Sequence, residues 1–156
     1  MHYLAARYLF TNPANFEIKM EYKLATDWTS GIAFETEVDG FTLAMDSPVE
    51  GKGTGPSPKK LMIVSLLGCT AMDVASLMQK MRVPFTAFRV EAVAPLTDEH
   101  PKVFSSIHLK YIVTGQDIKR DKVEKSINLS QDRYCGVSIM LKKHCPVTWE
   151  LEILDN

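Results

Sequence analysis

The sequence predicts an α+β fold in which antiparallel sheets are wrapped around one long, buried central helix. Three observations lead to this prediction: alternating runs before residue 46, a segment at 55–82 that reads as one helix with almost no polar face, and further alternating runs after it. Alternation with a period of two is typical of half-buried strands, whereas a long apolar segment favours a helix. The predicted order is three strands, the long helix, two strands, two helices and a last strand.

The N-terminal strands form a predicted antiparallel meander. Apolar and polar residues alternate at 20–28 and again at 32–38. Asp39-Gly40 follows, and these residue types tolerate the positive φ that a type I′ hairpin needs. A third run at 41–45 completes the meander. In the first two runs, charged residues stand between the apolar ones, which predicts that one face of the sheet is solvated.

The long helix is predicted to begin at Pro58, after an N-cap at Ser57, and to end near residue 82. Val83-Pro84 stops it, because a residue before proline avoids the helical conformation. A membrane span would place Asp73 near the bilayer centre, at a cost of roughly 2.5–3.5 kcal/mol. We therefore expect no membrane span but a core helix covered on all sides by protein, partly by another subunit.

The C-terminal half alternates at 88–94, 103–113 and 147–153. A charged helix with an apolar side is predicted at 117–133, and a short helix is predicted at 136–143. The expected result is a second set of antiparallel strands with two helices inserted before the last one. These elements complete a domain at 20–156, preceded by an N-terminal extension at 1–19.

Composition and charge exclude several classes of function. With 156 residues of which 46% are hydrophobic, the chain is long and apolar enough for one domain with a core, so disorder is excluded. A net charge of −1 provides no basic field for nucleic acid or an anionic membrane. Three cysteines without a CxxC motif make no disulfide framework, so we expect reduced thiols in the cytoplasm.

Each cysteine has more than one interpretation. Cys69, inside the long helix, is either a small buried hydrophobe or a thiolate nucleophile. Asp73 lies one turn later on the same face and disfavours a thiolate, unless a cation sits between them or the carboxylate orients a donor. Cys135 precedes a predicted helix, whose amide groups stabilise a thiolate, or else it is a helix-junction residue without chemistry. For Cys145, before Pro146, we expect a structural role.

No metal and no cofactor is predicted, because Cys135, His144 and Cys145 match no standard zinc spacing. Lys59 lies in the first turn of the long helix, where the helix dipole disfavours a cation. It is either a solvated residue or one that reaches an anion or a thiolate across an interface.

Two cysteine motifs occur in a consistent order: a G-x-x-P-x-x-L…C pattern ending at Cys69 and a C-x-V-S-x-x-L pattern beginning at Cys135. Together they resemble the OsmC/Ohr family of osmotically inducible proteins and organic hydroperoxide reductases. The resemblance covers residues 20–154, and the segment GCTAMDV is similar to a shorter subgroup of that family. It implies that 20–156 is an OsmC-like domain and that two copies form an intertwined homodimer, with the long helices between two sheets.

The resemblance also implies a two-cysteine peroxidase. By motif position, Cys69 attacks an organic hydroperoxide, Cys135 closes a disulfide, and a dithiol reductant opens it again. The family has a glutamate ten residues before the nucleophile and an arginine in its N-terminal strand region. Here Lys59 occupies the glutamate position, and no arginine lies between Arg7 and Arg82.

The departure from the family pattern affects the expected rate. Lysine cannot reproduce the planar two-point contact of a guanidinium group, so Lys59 and Asp73 are only candidates for tuning the thiolate. We expect a weak thiol peroxidase. The alternatives are a non-enzymatic dimer that binds a small hydrophobic ligand and a thiol redox sensor.

Overall fold

The computed structural model describes residues 21–47 and 53–155, so the expected extension at 1–19 lies outside the described part of the chain. Two three-stranded sheets and a long helix form the α+β architecture that the sequence predicts. The elements, in chain order, are β1 (Asp27–Ser30), β2 (Ala33–Val38), β3 (Phe41–Met45), α1 (Pro58–Lys80), β4 (Ala87–Val93), β5 (Ile107–Thr114), α2 (Arg120–Leu129), a π-helical turn (Ser130–Tyr134), α3 (Gly136–Lys142) and β6 (Val147–Leu154).

The first sheet is the predicted antiparallel meander, in the order β1-β2-β3. Asp39 and Gly40 have φ angles of 50° and 84°, as a type I′ turn requires. The first strand is shorter than predicted, since pairing begins at Asp27. Just before it, the Thr26 hydroxyl donates to the Glu35 carbonyl at 3.2 Å, so a side-chain hydrogen bond joins the two segments there in place of a backbone one.

The second sheet has the order β4-β5-β6, and here the prediction of an entirely antiparallel arrangement is wrong. β4 and β5 pair antiparallel, but β5 and β6 pair parallel over their whole length, from Ile107 opposite Val147 to Thr114 opposite Leu154. The reason is the connection. Because α2 and α3 carry the chain back along the sheet, β6 starts at the same end as β5.

The predicted strand at 103–113 consists of two parts. The ladder with β4 begins only near Ile107. Before it, the Thr97 amide donates to the Val103 carbonyl at 2.9 Å, and the Ser105 amide donates to the Pro95 carbonyl at 3.0 Å. These bonds form a short ribbon that precedes the sheet.

α1 is the core helix, with Ser57 as its N-cap and Pro58 in its first turn, as predicted. In the described part of the chain it is the one helix long and apolar enough for a membrane span, with a mean hydropathy of 1.9. One of its faces is buried in the main hydrophobic cluster, where α1 contacts α2, β4 and α3, as in the core helix of a globular domain. Full burial of a large apolar side chain contributes roughly 1.5–3 kcal/mol. The buried residues of that face are Leu66, Thr70, Val74 and Met78.

Large apolar side chains remain exposed on the other side of α1 and on the first sheet. On α1 they include Met62, Val64 and Met72, which is 76% exposed. On the first sheet they include Trp28 and Phe41, and the main hydrophobic cluster contains no residue from that sheet. A single chain therefore covers one face of the central helix and leaves the others open.

The start of α1 is held against the end of β3. A Cβ atom on Gly55 would lie 2.5 Å from the Ala44 carbonyl oxygen, so only glycine fits there. The Asp46 amide donates to the Pro56 carbonyl at 3.2 Å. The Thr54 amide donates to Asp46 Oδ2 at 2.9 Å and lowers the pKa of that carboxyl group. This close approach of two backbone segments explains why the G-x-x-P-x-x-L pattern has glycine at its first position.

Candidate active site

The fold brings together two cysteines that are far apart in the chain. The Sγ atoms of Cys69 and Cys135 and a carboxylate oxygen of Asp73 all lie within 4.8 Å of one another. Cys69 and Asp73 share a face of α1 because they are four residues apart. Cys135 enters from the N-cap of α3. Both thiols are free, and a disulfide of about 2.05 Å requires the two sulfurs to approach by up to about 3 Å.

The two thiols differ in exposure. Cys69 is half-buried, whereas Cys135 is fully buried and its Sγ accepts a hydrogen bond from the Ser138 amide at 3.3 Å. Burial raises the pKa of Cys135 to about 11, the neighbouring Cys69 thiol adds to the increase, and the Ser138 amide opposes it. The sequence suggested that the start of α3 favours a thiolate at Cys135, but burial outweighs that effect.

A buried network of polar side chains lies beneath the thiols. Ser130 Oγ donates to Asp73 Oδ2 at 3.1 Å. The Thr70 hydroxyl is hydrogen-bonded to the Tyr111 hydroxyl at 2.6 Å and to Ser130 Oγ at 3.0 Å. Gln131 Nε2 donates to both Thr70 Oγ1 and the Tyr111 hydroxyl, at 3.1 and 2.8 Å. Burial raises the pKa of Tyr111 to about 12, so this phenol is neutral at physiological pH.

The network continues to the second thiol through Ser138. The Ser138 hydroxyl donates to Gln131 Oε1 at 2.9 Å, and its amide is the donor to Cys135. The π-helical turn makes this possible, since the Cys135 amide donates to the Ser130 carbonyl at 2.8 Å and both Ser130 and Gln131 are buried. Among the described residues, no buried side-chain nitrogen or oxygen atom lacks a partner. Cys135 and Asp73 are thus joined through hydrogen bonds to one buried network.

Sequence reasoning named none of Thr70, Tyr111, Ser130, Gln131 and Ser138 as site residues. Two signals point toward them: a threonine inside an apolar helix, and a tyrosine at the centre of a strand whose alternate residues are all buried. A buried hydroxyl needs a partner, so each of these residues predicts another polar group nearby.

The remaining candidate, Lys59, and the third cysteine, Cys145, both lie outside the cluster. Lys59 is exposed in the first turn of α1, about 15 Å along the helix axis from Cys69. Cys145 is buried after α3, where its amide donates to the Leu141 carbonyl at 3.0 Å and burial raises the pKa of its thiol. In a single chain, therefore, Lys59 does not approach the thiols.

An apolar groove of about 410 Å³ runs between the end of β3, the start of α1 and α3. It extends toward the thiols, because Ser65 is one turn before Cys69 and Val137 is two residues after Cys135. A larger hollow of about 660 Å³ along α2 is lined mostly by charged and polar residues and contains no thiol. The groove is lined by Met45, Pro58, Leu61, Met62, Ser65, Val137, Met140 and Leu141.

A family model described as OsmC-like protein matches residues 51–150, which include α1, both thiols and the polar network. The chain belongs to the OsmC-like family. The match confirms the resemblance drawn from the two cysteine motifs.

Relatives and solved structures agree with this OsmC-like assignment. Protein YhfA of Escherichia coli K12 is 34% identical over 128 residues, which are 81% of this chain and 94% of YhfA. An OsmC-like protein from Mycoplasma pneumoniae superimposes with a TM-score of 0.77 at 10% identity, over 88% of this chain and 99% of that one. OhrB of Bacillus subtilis, an organic hydroperoxide resistance protein, gives 0.59 at 17% identity, over 84% and 98%. At such low identities the two structures establish the fold alone.

Proposed function

We propose that this OsmC-like protein is a two-cysteine thiol peroxidase that reduces organic hydroperoxides. The observation that carries the proposal is the approach of the Cys69 and Cys135 sulfurs to within 4.8 Å. The fold that it shares with OhrB adds support at the level of the family.

The proposed reaction has three balanced steps. The Cys69 sulfur attacks the hydroxyl oxygen of the hydroperoxide, an S–O bond forms as the O–O bond breaks, and the alcohol leaves after taking up a proton. The Cys135 sulfur then attacks the resulting sulfenic acid, water leaves, and a disulfide forms. An external dithiol reduces that disulfide by two successive thiol–disulfide exchanges.

The assignment of roles follows from access. Attack on a hydroperoxide needs a reachable thiolate, and Cys69 is half-buried while Cys135 is completely buried with a raised pKa. Asp73 lies within 4.8 Å of both sulfurs and offers a carboxylate oxygen that can accept the proton from Cys69 and return it to the departing alkoxide. Lys59 would contribute only across an interface with a second copy.

The proposed active form is a homodimer in the cytoplasm. Large apolar side chains are exposed on α1 and on the first sheet, and extensive exposed apolar surface marks association sites in proteins. A second copy offers a matching cover: its first sheet would lie over the open side of α1. Sedimentation should give a dimer, and a folded monomer at micromolar concentration would contradict this arrangement.

One observation favours a second candidate function, the binding of a small hydrophobic molecule without catalysis. The groove between α1 and α3 is lined almost entirely by apolar side chains and has about the volume of a small-ligand pocket. Under that function the cysteines only line the site, so replacing Cys69 with serine would leave ligand binding unchanged. In a third possibility, redox sensing, the disulfide itself is the output.

Peptide mapping tests the peroxidase proposal. The reduced protein is treated with one equivalent of an organic hydroperoxide, alkylated and digested without reductant. We expect a peptide that joins Cys69 to Cys135, with Cys145 alkylated. The Cys145→Ser variant is the control and should give the same bridge. A bridge between Cys135 and Cys145, or a sulfinic acid at Cys135 without any bridge, would refute the proposed roles.

A further inference from the structure

The three groups at the candidate active site also form a set of metal ligands. Two thiols and one carboxylate are ligand types that Zn²⁺ takes in proteins, and three protein ligands with a fourth position open is a common arrangement for it. This set differs from the Cys135, His144 and Cys145 combination that the sequence excluded, because α1 supplies two of its three members, Cys69 and Asp73.

The distances suit a tetrahedral ion. With Zn–S bonds of about 2.3 Å and Zn–O bonds of about 2.1 Å, tetrahedral ligands lie about 3.5–3.8 Å apart. All three ligand atoms already lie within 4.8 Å of one another. Closing the set needs shifts of up to about 1 Å.

Two hydrogen bonds hold ligands in place from outside the set. The Ser130 hydroxyl donates to Asp73 Oδ2 at 3.1 Å, and a carboxylate that accepts one such bond still has lone pairs for a cation. The Ser138 amide donates to the Cys135 sulfur at 3.3 Å, an interaction that stabilises a thiolate ligand. Outer partners of this kind orient ligands in known metal sites.

The charge of Asp73 also suits a cation. The carboxylate lies beside the two sulfur atoms in a half-buried place. Within residues 21–47 and 53–155, no lysine, arginine or histidine forms an ion pair with Asp73. A divalent cation would pair with this carboxylate and would stabilise the two thiolates that form as it binds.

We propose that the reduced protein binds one Zn²⁺ through Cys69, Cys135 and Asp73. Binding displaces the two thiol protons into solvent, and water or another small ligand takes the fourth position. The metal-bound Cys69 sulfur is then unavailable for attack on a hydroperoxide. The second part of this inference rests on the proposed peroxidase function, in which zinc acts as a reversible inhibitor of the same site.

Cobalt spectroscopy tests the site without any turnover. The protein is reduced, freed of metal with a chelator and titrated with Co²⁺, whose thiolate charge-transfer and tetrahedral d–d bands report coordination. One equivalent should produce both bands, and Zn²⁺ should remove them by displacement. Calorimetry of Zn²⁺ binding in two buffers of different ionisation enthalpy should give a release of up to two protons per metal.

Variants assign the ligands. Cys69→Ser and Cys135→Ser should each weaken the charge-transfer band by about half or abolish it, and Asp73→Asn should weaken binding at least tenfold. Ser130→Ala should weaken it about 10–100-fold while the bands keep their shape. Cys145→Ser removes the third thiol and should bind as wild type does. Circular dichroism verifies that each variant is folded.

A separate measurement avoids dependence on variant folding. Wild type in which all thiols have been blocked as mixed disulfides with methanethiol should show no cobalt bands, and reduction of those disulfides should restore them. A charge-transfer band of wild-type intensity in Cys69→Ser, cobalt bands that persist in the blocked protein, or bands that vanish in Cys145→Ser would overturn the metal site. If cobalt binds as described while zinc leaves hydroperoxide turnover unchanged, the inhibitory role is refuted. If no turnover exists to inhibit, the peroxidase proposal fails and the metal site stands.

Discussion

Replacing Tyr111 with phenylalanine removes one oxygen atom from the centre of the buried network. That hydroxyl forms hydrogen bonds of 2.6 Å with Thr70 and 2.8 Å with Gln131, and the residue is 0% exposed. Two buried hydrogen bonds at about 0.5–1.5 kcal/mol each give an upper loss of about 3 kcal/mol. Thr70 keeps its bonds to Ser130 and Gln131, so neither neighbour is left without a partner. We therefore expect a loss of about 1–2 kcal/mol.

Urea denaturation followed by circular dichroism, with all variants at one protein concentration, measures this loss. The concentration is fixed because the stability of a dimer depends on it. In a chain of this size the expected change corresponds to a decrease in Tm of about 2–8 °C. Tyr134→Phe is the matched control: Tyr134 is 51% exposed, and the same substitution there should change stability by less than about 0.5 kcal/mol.

The double variant Thr70→Val/Tyr111→Phe adds a test of connectivity. Because the two hydroxyls bond to each other, the two losses should not add, and the cycle should give a coupling of at least about 0.5 kcal/mol. Equal stabilities of Tyr111→Phe and Tyr134→Phe would refute the reasoning, since the buried hydroxyl would then contribute no more than a solvated one.

Three further predictions concern the core, the buried thiol and the start of α1. Leu66 is 0% exposed, so Leu66→Asp should abolish soluble expression. An unpaired buried carboxylate costs several kcal/mol, whereas the whole free energy of unfolding of a domain is about 5–15 kcal/mol. A variant that melts like wild type would contradict this prediction. The pKa of Cys135 is raised from 9.0 to about 11, so its thiol stays protonated to a higher pH in the folded state than in the unfolded chain. The free energy of unfolding should therefore fall as pH rises from about 9 to about 11. Urea titrations across that range should show a shallower fall for Cys135→Ser, and an identical pH profile would count against the shift. Gly55→Ala should lower Tm because its Cβ meets the Ala44 carbonyl, whereas Gly136→Ala, where nothing lies within 4 Å, should not; equal melting of the two would contradict the close approach.

The secondary structure was largely predictable because its signals are local. The alternation of β4 and β5, the Asp39-Gly40 turn and the Pro58 start of α1 all depend on neighbouring residues, and the structure confirms them. The parallel pairing of β5 with β6 was not predictable in the same way. It depends on how α2 and α3 return the chain across the sheet, and periodicity contains no information about strand direction.

The candidate site was predictable in part. The cysteine motifs identified Cys69 and Cys135 by resemblance, but their proximity depends on the tertiary packing of α1 against the segment after α2. The π-helical turn was not foreseen, because its sequence continues the charged helical pattern of α2. Only the structure shows that this turn directs Ser130 and Gln131 inward together. The raised pKa of Cys135 likewise results from burial, which the position before α3 does not reveal.

Consumption of an organic hydroperoxide in stopped flow, with excess dithiol, tests the central claim most directly. Wild type should consume the peroxide faster than dithiol alone, though slowly, because the family's glutamate and arginine positions are not filled. Cys69→Ser should fall to the dithiol background, since a hydroxyl has no comparable nucleophilicity. Cys135→Ser should react once and then stall as a sulfenic acid. Lys59→Glu should not increase the rate, because the new acid has no arginine to hold. If wild type and Cys69→Ser both consume the peroxide at the rate of dithiol alone, the enzyme hypothesis is contradicted.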